Sequence, residues 1–514
     1  MTKMYRFVFS IVFLPILVYG QENRVEKTEK PMNVVFILAD DLGWSDTELY
    51  GTTSLYETPN ILRLAQRGMT FTRAYANSPL CSPTRASILT GQTPARHGST
   101  SAVHHKKIAR LHPELSETTA SSKKAVTIES VSRLDTAIPT LGQQVQKAGF
   151  ETAHFGKWHL GPEPYSPLEH GFTIDIPHTN MPGPVGGFIG KWKFAKNIKK
   201  EFPEEHIEDR MAKEAINWMK SLPKEKPFFM NYWQFSVHTP FDAKPELIEK
   251  FKKHIDPKER QKSPTYAAMV ASLDDAVGTL LDALDTAGIS ENTILIFTSD
   301  NGGNIHSKIT QDGSVPPTSN FPLRGGKASV YEGGIRVPTI VVWPGVTAPG
   351  TTSNEIIQTS DFYPTLLNGL GIELPKKHKL DGIDITPALR EEKLKRDAIY
   401  TYFPSGPPVP DWLPAPIAIH SGDWKLIRIF HGGENGAHDY RLYHLKEDIG
   451  EQNDLSAVYP QKVKKLDRKI EDYLKEAKTL VTIINPDFDP TKYKPENIGL
   501  PPDQWQLKGK KKKK

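Results

Sequence analysis

The stretch Asn33-Val34-Val35-Phe36-Ile37-Leu38-Ala39, which runs directly into Asp40-Asp41, decides the fold of this chain. A continuous apolar run of this kind is typical of a central strand of a parallel sheet, buried on both faces. Residues 293–298 form a second such run, which ends just before Asp300-Asn301. Ligands of parallel sheets gather beyond the carboxyl ends of the strands. The sequence therefore predicts two polar pairs at the same edge of a sheet.

Helical and strand-like segments alternate along the rest of the chain. Helices are predicted at residues 59–68, 138–149, 209–222, 266–287 and 361–370, and strands at residues 151–155, 228–235 and 336–343. Such alternation predicts an α/β fold with a mostly parallel sheet between layers of helices. Beyond residue 404, prolines, two short strand-like pieces at 424–430 and 441–445 and a helix at 458–479 indicate a smaller C-terminal α+β subdomain with an antiparallel sheet.

Length, charge and cysteine content limit the class of protein. At 514 residues the chain is long enough for a large core and a smaller lobe. The net charge of +5 is accounted for by five lysines at residues 510–514, so we do not interpret the protein as nucleic-acid binding. With one cysteine no intramolecular disulfide is possible, and the stability of the fold must come from the size of its core.

The N-terminal residues have the composition of a secretory signal. Lys3 and Arg6 precede an apolar run at residues 7–18, and Gly20 supplies a small residue near a cleavage point. The alternative is a membrane anchor, but the run is too short to span a bilayer comfortably. We therefore expect a signal peptide at residues 1–20, a polar linker at 21–31, and an exported protein, periplasmic or secreted, without stable membrane insertion.

The single cysteine lies in Cys81-Ser82-Pro83-Thr84-Arg85, ahead of a segment that can form a helix and a Thr90-Gly91 turn. A lone thiol is either a small buried apolar residue or a reactive centre. Taken alone, the first reading is the commoner one. The neighbouring residues favour the second, as the following motifs show.

The two polar pairs at the strand ends favour a metal site. Either pair alone fits a helix cap or a turn as well as it fits a metal site. Together, the three carboxylates of Asp40, Asp41 and Asp300 would repel one another, and a hard divalent cation removes that repulsion. With Asn301 they form an oxygen-rich ligand set, which from the ligands alone fits calcium or magnesium.

Three further segments carry basic groups suited to an anionic ester. Phe155-Gly156-Lys157-Trp158-His159 places Lys157 and His159 on the same side of an extended stretch. His238, in Ser236-Val237-His238-Thr239-Pro240, falls just past a predicted strand. Lys327 follows Leu323-Arg324-Gly325-Gly326, where glycines allow close backbone approach.

These motifs, in this order, resemble those of the type I sulfatases, a family of the alkaline-phosphatase-like superfamily, and in particular its secreted bacterial polysaccharide sulfatases. The resemblance implies an alkaline-phosphatase-like sheet, which we place in a catalytic domain at residues 32–403. From the change in composition we expect a C-terminal subdomain at 404–485 and an extension with a lysine tail at 486–514. It also implies that a maturation enzyme oxidises Cys81 to formylglycine (3-oxoalanine), whose hydrate attacks sulfur.

The same resemblance implies a role for each motif residue. Calcium is held by Asp40, Asp41, Asp300, Asn301 and the formylglycine oxygen of residue 81, and magnesium is the less favoured ion. Arg85 holds the formylglycine and Asp300 helps to deprotonate it. Lys157 and Lys327 bind the sulfuryl oxygens, His238 protonates the leaving group, and His159 assists the release of sulfate.

The substrate is less sharply indicated. A loop rich in turn residues holds His178 and Asn180, which are candidates for contacting the sugar; a purely structural loop is the alternative. Arg324, His104, His105 and His306 are further candidates. The resemblance favours sulfated algal oligo- or polysaccharides such as ulvan, carrageenan or fucoidan; glycosaminoglycans are the alternative. A phosphonate monoester or phosphodiester hydrolase of the same superfamily is the rival enzyme, and a non-catalytic glycan-binding relative is the rival from another class.

Overall fold

The computed structural model describes Met1 and residues 32–194, 198–501 and 504. The chain divides into residues 1–30 and a compact unit of residues 31–514. All of the predicted signal peptide except Met1, the whole predicted linker and the lysine tail lie outside the described residues. Among the described helices, none has both the length and the apolar character needed to cross a bilayer.

Sixteen strands are found in the described residues. They are β1 Asn33–Ala39, β2 Met69–Phe71, β3 Ala74–Tyr75, β4 Glu114–Leu115, β5 Ile128–Glu129, β6 Glu151–Gly156, β7 Ile174–Ile176, β8 Phe228–Trp233, β9 Thr293–Ser299, β10 Thr339–Val342, β11 Thr351–Ser353, β12 Ile357–Gln358, β13 Ile399–Tyr402, β14 Pro416–Ser421, β15 Trp424–Ile429 and β16 Asp439–His444.

Eleven α-helices accompany the strands in the same part of the chain. They are α1 Pro59–Arg67, α2 Cys81–Thr90, α3 Pro94–His97, α4 Leu141–Lys147, α5 Ile207–Ser221, α6 Pro245–Lys252, α7 Pro264–Thr286, α8 Glu332–Ile335, α9 Phe362–Gly369, α10 Thr386–Leu389 and α11 Pro460–Glu476.

The main sheet has eight strands in the order β11-β2-β10-β9-β1-β8-β6-β7. Only β10 runs antiparallel to its neighbours β9 and β2. In the centre, β1 pairs in parallel with β8 and β9, with Ala39 opposite Ser299. This register brings the carboxyl ends of β1 and β9 to the same level of the sheet. The prediction of a mostly parallel α/β sheet is confirmed.

Strand β1 shows why the sheet is covered on both faces. Val35 and Ile37 pack into a core cluster with residues of α1, α5 and α7. Val34, Phe36 and Leu38 point to the opposite face and pack with residues of α2, α4 and α9. Side chains of a strand alternate between the two faces, so a strand that is apolar at every position requires cover on both.

The smaller sheet is antiparallel, in the order β13-β14-β15-β16, and α11 packs against it. This confirms the predicted C-terminal antiparallel sheet. Its first strand, β13, lies before residue 404, and the boundary at that residue stays a prediction. The prediction of a strand at residues 336–343 was too long, because Arg336 caps α8 and the paired strand begins only after Pro338.

The polar composition of residues 101–135, with scattered lysines and serines, predicts a surface insertion, but parts of this segment are buried. His104, Ile128 and Leu134 are buried, and Ile128 packs in the core of the smaller sheet. The buried guanidinium of Arg133 donates to the carbonyl oxygens of His104 and Lys106. Polar side chains that find backbone partners can be buried without large cost.

Candidate active site

The two polar pairs meet at the carboxyl ends of β1 and β9. The backbone N–H of Asp41 donates to Oδ1 of Asp300 at 3.2 Å, and the side-chain amide of Asn301 donates to Oδ1 of Asp41 at 2.8 Å. Asp41 has φ of +65°, a left-handed conformation uncommon for residues other than glycine. The strand pairing therefore places Asp40, Asp41, Asp300 and Asn301 together, as the sequence predicts.

Residue 81 lies beside this cluster, at the first position of α2. The helix begins two residues before Pro83, and proline is tolerated there because first-turn N–H groups have no helical partner. Asp40, Cys81 and Asp300 each offer one ligand atom, and these atoms lie within 4.8 Å of one another. The Cys81 side chain is a buried thiol that marks the position of any group made from it.

Three cations hold the carboxylates. Lys157 donates to Oδ2 of Asp40 at 2.6 Å, and Lys327 donates to Oδ2 of Asp41 at 2.7 Å. Arg85 donates to Oδ2 of Asp300 from Nε at 2.8 Å and from Nη2 at 2.7 Å. All three cations are buried. Charge-assisted hydrogen bonds offset the cost of burying these groups.

Electrostatic effects differ between the two carboxyls at the end of β1. Burial raises the pKa of Asp40 well above its usual value, an effect that Lys157 opposes. Burial also acts against ionisation of Asp41, but Lys327 and His238 outweigh it and hold the pKa of that carboxyl below its usual range. Of these two carboxyls, Asp41 is thus the one more firmly kept in its ionised, cation-binding form.

Two histidines lie against the cluster, one beside Cys81 and the other beside Asp41. Nδ1 of His159 lies 3.6 Å from Sγ of Cys81, and Nε2 of His238 lies 3.8 Å from Oδ2 of Asp41. Burial, together with the charges of neighbouring lysines, lowers the pKa of each imidazole well below 6.5. Both rings are therefore neutral near pH 7, each with one nitrogen free to accept a proton.

The donor set fits a hard divalent cation. Oδ1 of Asp40 and Oδ1 of Asn301 are buried and have no hydrogen-bond partner. Buried polar atoms are normally paired, and metal ligation is one way to satisfy such oxygens. Carboxylate and amide oxygens are ligands that Ca²⁺ and Mg²⁺ prefer over soft metals. The residues present therefore fit the metal that the motifs imply, without distinguishing the two ions.

The predicted sugar-contacting residues have different surroundings. His178 is half-buried, and its Nδ1 contacts Asp175 at 2.7 Å. Asn180 uses its amide to join two loops, donating to the carbonyl oxygen of His104 and accepting from the N–H of Gly161. His178 and Asn180 stay predictions as substrate contacts, and the bonds of Asn180 favour the structural alternative.

Arg324 is bound within the protein. Its Nε donates to Asp411, and its other two nitrogens donate to the carbonyl oxygens of Glu451 and Gly499. Its guanidinium also lies over the ring of Tyr331. These contacts join the loop before α8 to residues nearer the C-terminus and occupy all three nitrogens. They favour a structural position, and Arg324 as a substrate contact stays a prediction.

Two of the weaker candidates lie close to the predicted site residues. Nδ1 of His105 is 2.9 Å from Nε2 of His159. Burial, with the charge of Lys327, lowers the pKa of His306 to about 4. Of the two, His105 makes direct contact with a predicted catalytic residue.

Sequence reasoning missed Glu208, a buried residue near the start of α5. Its Oε1 accepts from the backbone N–H groups of Phe235 and Ser236 at 2.9 and 2.8 Å. The carbonyl of Ser236 in turn accepts from the N–H of Asp40. Glu208 thus supports the segment that leads to His238. No local signal marks it, because its partners lie some 27 and 28 residues away in sequence.

An α/β fold whose strand ends bring together oxygen ligands suited to a hard cation, two lysines and two histidines is an arrangement suited to the hydrolysis of anionic esters. A family model described as "Sulfatase" matches residues 32–372, and one described as "N-sulphoglucosamine sulphohydrolase, C-terminal" matches residues 326–479. The chain therefore belongs to the Sulfatase family, and the protein is a sulfatase.

Individual relatives agree with this assignment. A "Sulfatase" of Formosa agariphila is 30% identical and aligns with 88% of this chain and 89% of its own length. N-acetylgalactosamine-6-sulfatase of Rattus norvegicus is 32% identical over 73% of this chain and 68% of its own. The crystal structure of Ps i-CgsB in complex with k-i-k-neocarrahexaose has a TM-score of 0.69 and 25% identity, over 90% of this chain and 94% of that one.

Proposed function

We propose that this sulfatase removes sulfate from a sulfated carbohydrate, with residue 81 converted from cysteine to formylglycine. The observation that carries the proposal is the position of Cys81. It lies at the start of α2, within 4.8 Å of ligand atoms of Asp40 and Asp300 and 3.6 Å from His159. A buried thiol with a raised pKa is a poor nucleophile, since burial disfavours its thiolate. An oxidised residue 81 suits these surroundings better.

Two groups complete the site. Formylglycine, when hydrated, supplies an oxygen nucleophile and a second hydroxyl through which sulfate can be released. A divalent cation, calcium in our proposal, would be held by Asp40, Asp41, Asp300 and Asn301 with residue 81, and would act as a Lewis acid. Support comes from the unpartnered oxygens of Asp40 and Asn301.

The chain's own residues bind the ester and move protons. Lys157 and Lys327 would turn from the carboxylates they now contact to the sulfuryl oxygens, since a bound cation would neutralise those carboxylates in their place. Arg85 and Asp300 orient residue 81, and Asp300 accepts its hydroxyl proton. In the net reaction water cleaves the ester, giving the sugar hydroxyl and sulfate.

The two histidines divide the proton transfers. His238 donates a proton to the sugar oxygen as the ester bond breaks, because an alkoxide is a poor leaving group. The Nδ1–H of its neutral ring donates to the carbonyl oxygen of Thr239, which leaves a bare Nε2 facing the cluster. Nε2 must therefore first take up a proton from solvent, a step that the negative charge of the bound ester would favour, before it can protonate the leaving oxygen. His159 accepts a proton from residue 81 through Nδ1 in the step that releases sulfate. His159 has the neutral ring that a proton acceptor near pH 7 requires, whereas His238 acts as a donor only once the bound ester has favoured its protonation.

For the substrate we favour sulfated algal glycans, such as ulvan, carrageenan or fucoidan fragments. Support comes from the structural likeness to a protein solved with a neocarrahexaose. The name of the rat relative supports a glycosaminoglycan as the second candidate. We further propose export to the periplasm or the medium, and a maturation enzyme that acts on Cys81. Phosphonate monoester or phosphodiester cleavage would be a side activity of the same site.

The test combines mass spectrometry with a substrate panel. Protein co-expressed with a formylglycine-generating enzyme is digested, and the peptide with residue 81 is weighed. The same protein is assayed for sulfate release from defined sulfated oligosaccharides and for cleavage of a phosphonate monoester, with Cys81→Ala as control. We expect conversion of residue 81 and sulfate release that Cys81→Ala lacks. Activity in protein whose residue 81 is an unmodified thiol would contradict the mechanism.

A further inference from the structure

His105 is part of a turn that is fixed from two sides. The carbonyl oxygen of His104 accepts from Nη1 of Arg133 at 2.9 Å and from the amide of Asn180 at 2.7 Å. Nη2 of Arg133 donates to the carbonyl oxygen of Lys106 at 2.7 Å. All three bonds go to backbone oxygens, so the position of His105 depends on its neighbours' main chain and not on its own ring.

Asn180 also holds the loop that carries His159. Oδ1 of Asn180 accepts from the N–H of Gly161 at 2.9 Å, and the carbonyl oxygen of His159 accepts from Oγ of Ser82 at 2.7 Å. His159 itself has φ of +56°, an uncommon conformation that these bonds help to maintain. The two histidine-bearing loops are thus fastened to each other and to the start of α2.

In this frame the two rings meet edge to edge. Nδ1 of His105 lies 2.9 Å from Nε2 of His159, and the ring planes are inclined by 33°. The other nitrogen of His159, Nδ1, lies 3.6 Å from residue 81. His159 is buried, whereas His105 is exposed at the mouth of the site. Each nitrogen of His159 therefore has one partner.

A neutral imidazole carries one N–H, so the two contacts of His159 are coupled. If Nε2 carries the hydrogen and donates it to His105, Nδ1 is bare and can accept a proton from residue 81. If His105 were the donor instead, Nδ1 of His159 would carry the hydrogen and could not act as a base. The partner of the outer nitrogen thus decides which tautomer faces the reaction.

We infer that His105 is a positioning residue, which accepts the Nε2–H of His159 and so keeps the Nδ1 of His159 unprotonated toward residue 81. The inference rests on the proposed function, in which His159 accepts a proton. It assigns a task to a side chain outside the motif segments. No direct contact of His105 with the reacting atoms is involved.

The test uses three replacements of one ring. His105→Asn places an amide oxygen close to where Nδ1 of the histidine lies, whereas His105→Gln places its amide one bond further out, and His105→Ala has no acceptor. We expect His105→Ala and His105→Gln to lower kcat about 10- to 100-fold at unchanged KM, the usual effect of losing the partner that orients an active-site histidine. His105→Asn should retain most of the wild-type kcat.

Lys107→Ala, an exposed change in the same turn, is the matched control and should leave kcat and melting temperature unchanged. An unchanged kcat in His105→Ala would overturn the inference. So would a raised KM at constant kcat, which indicates a sugar contact, or equal rates for His105→Asn and His105→Gln. His159→Ala, assayed in parallel, separates the two proposals: if it retains full activity, the proposed role of His159 fails.

Discussion

Replacing Asp300 by alanine should destabilise the protein strongly, even without any effect of metal. Asp300 accepts two hydrogen bonds from the guanidinium of Arg85, at 2.7 and 2.8 Å, and one from the backbone N–H of Asp41. Arg85 and Asp300 both have side chains that are 0% exposed. Without Asp300, a buried cation loses the partner that offsets its desolvation.

The magnitude follows from what remains around Arg85. Breaking a buried ion pair by removing one partner costs about 3–5 kcal/mol. Nη1 of Arg85 keeps its bond to the carbonyl oxygen of Lys157, and Oδ1 of Asp40 stays 3.9 Å from Nη2. These contacts retain part of the stabilisation, and loss of the Asp300 charge also relieves its repulsion with Asp40. We therefore expect a loss near the lower end, about 3 kcal/mol of unfolding free energy.

The assay is urea unfolding of wild type and Asp300→Ala in excess EDTA, which removes the contribution of any bound divalent cation. The matched control is Asp282→Ala. It removes a similar pair, in which Nη2 of Arg63 lies 2.5 Å from an aspartate that is 70% exposed. Exposed pairs contribute about 0–1 kcal/mol. A loss below about 1 kcal/mol for Asp300→Ala, no larger than the control, would refute the reasoning.

The other predictions concern catalysis, metal, positioning and pH. Lys157→Ala should lower kcat about 100- to 1,000-fold, measured as sulfate release, by removing a cation from the sulfuryl oxygens. EDTA should lower activity and melting temperature, and Ca²⁺ at 100 times its Kd should restore about 2.7 kcal/mol of stability in thermal unfolding. Glu208→Ala should lower kcat more than Glu208→Gln, because glutamine keeps a side-chain oxygen that can accept from the N–H of Ser236. Equal kcat values for the two variants would contradict the proposed role of Glu208 in supporting the segment before His238. Burial lowers the pKa of His154 from 6.5, the value in the unfolded chain, to about 3 in the folded protein. Between pH 6.5 and pH 3 the unfolded chain therefore binds a proton that the folded protein does not, and the free energy of unfolding falls as the pH drops below 6.5. His154→Gln should therefore reduce the loss of unfolding free energy between pH 8 and pH 5 by about 2 kcal/mol, and an unchanged loss would contradict this assignment.

Much of the fold was predictable because it is encoded locally. The apolar runs at β1 and β9 predicted central strands, and the polar pairs that follow them meet as expected. Helix and strand limits were less accurate. The strand predicted at residues 228–235 ends at Trp233, after which Gln234 and Phe235 remain buried outside the strand. Burial alone does not reveal where strand pairing stops.

Sequence by itself determined the composition of the candidate site, namely one cysteine, a set of oxygen-bearing side chains and several basic groups, because each lies in a motif that its neighbouring residues identify. Tertiary structure alone decided which side chains support it. Arg324 lies within a motif, but it is bound to Asp411 and to the carbonyl oxygens of Glu451 and Gly499. His105 lies in a segment predicted to be a surface insertion, but its ring contacts His159. The physical reason is that motifs depend on adjacent residues, whereas these contacts join residues 54 to 175 positions apart, and only the folded path of the chain brings them within bonding distance.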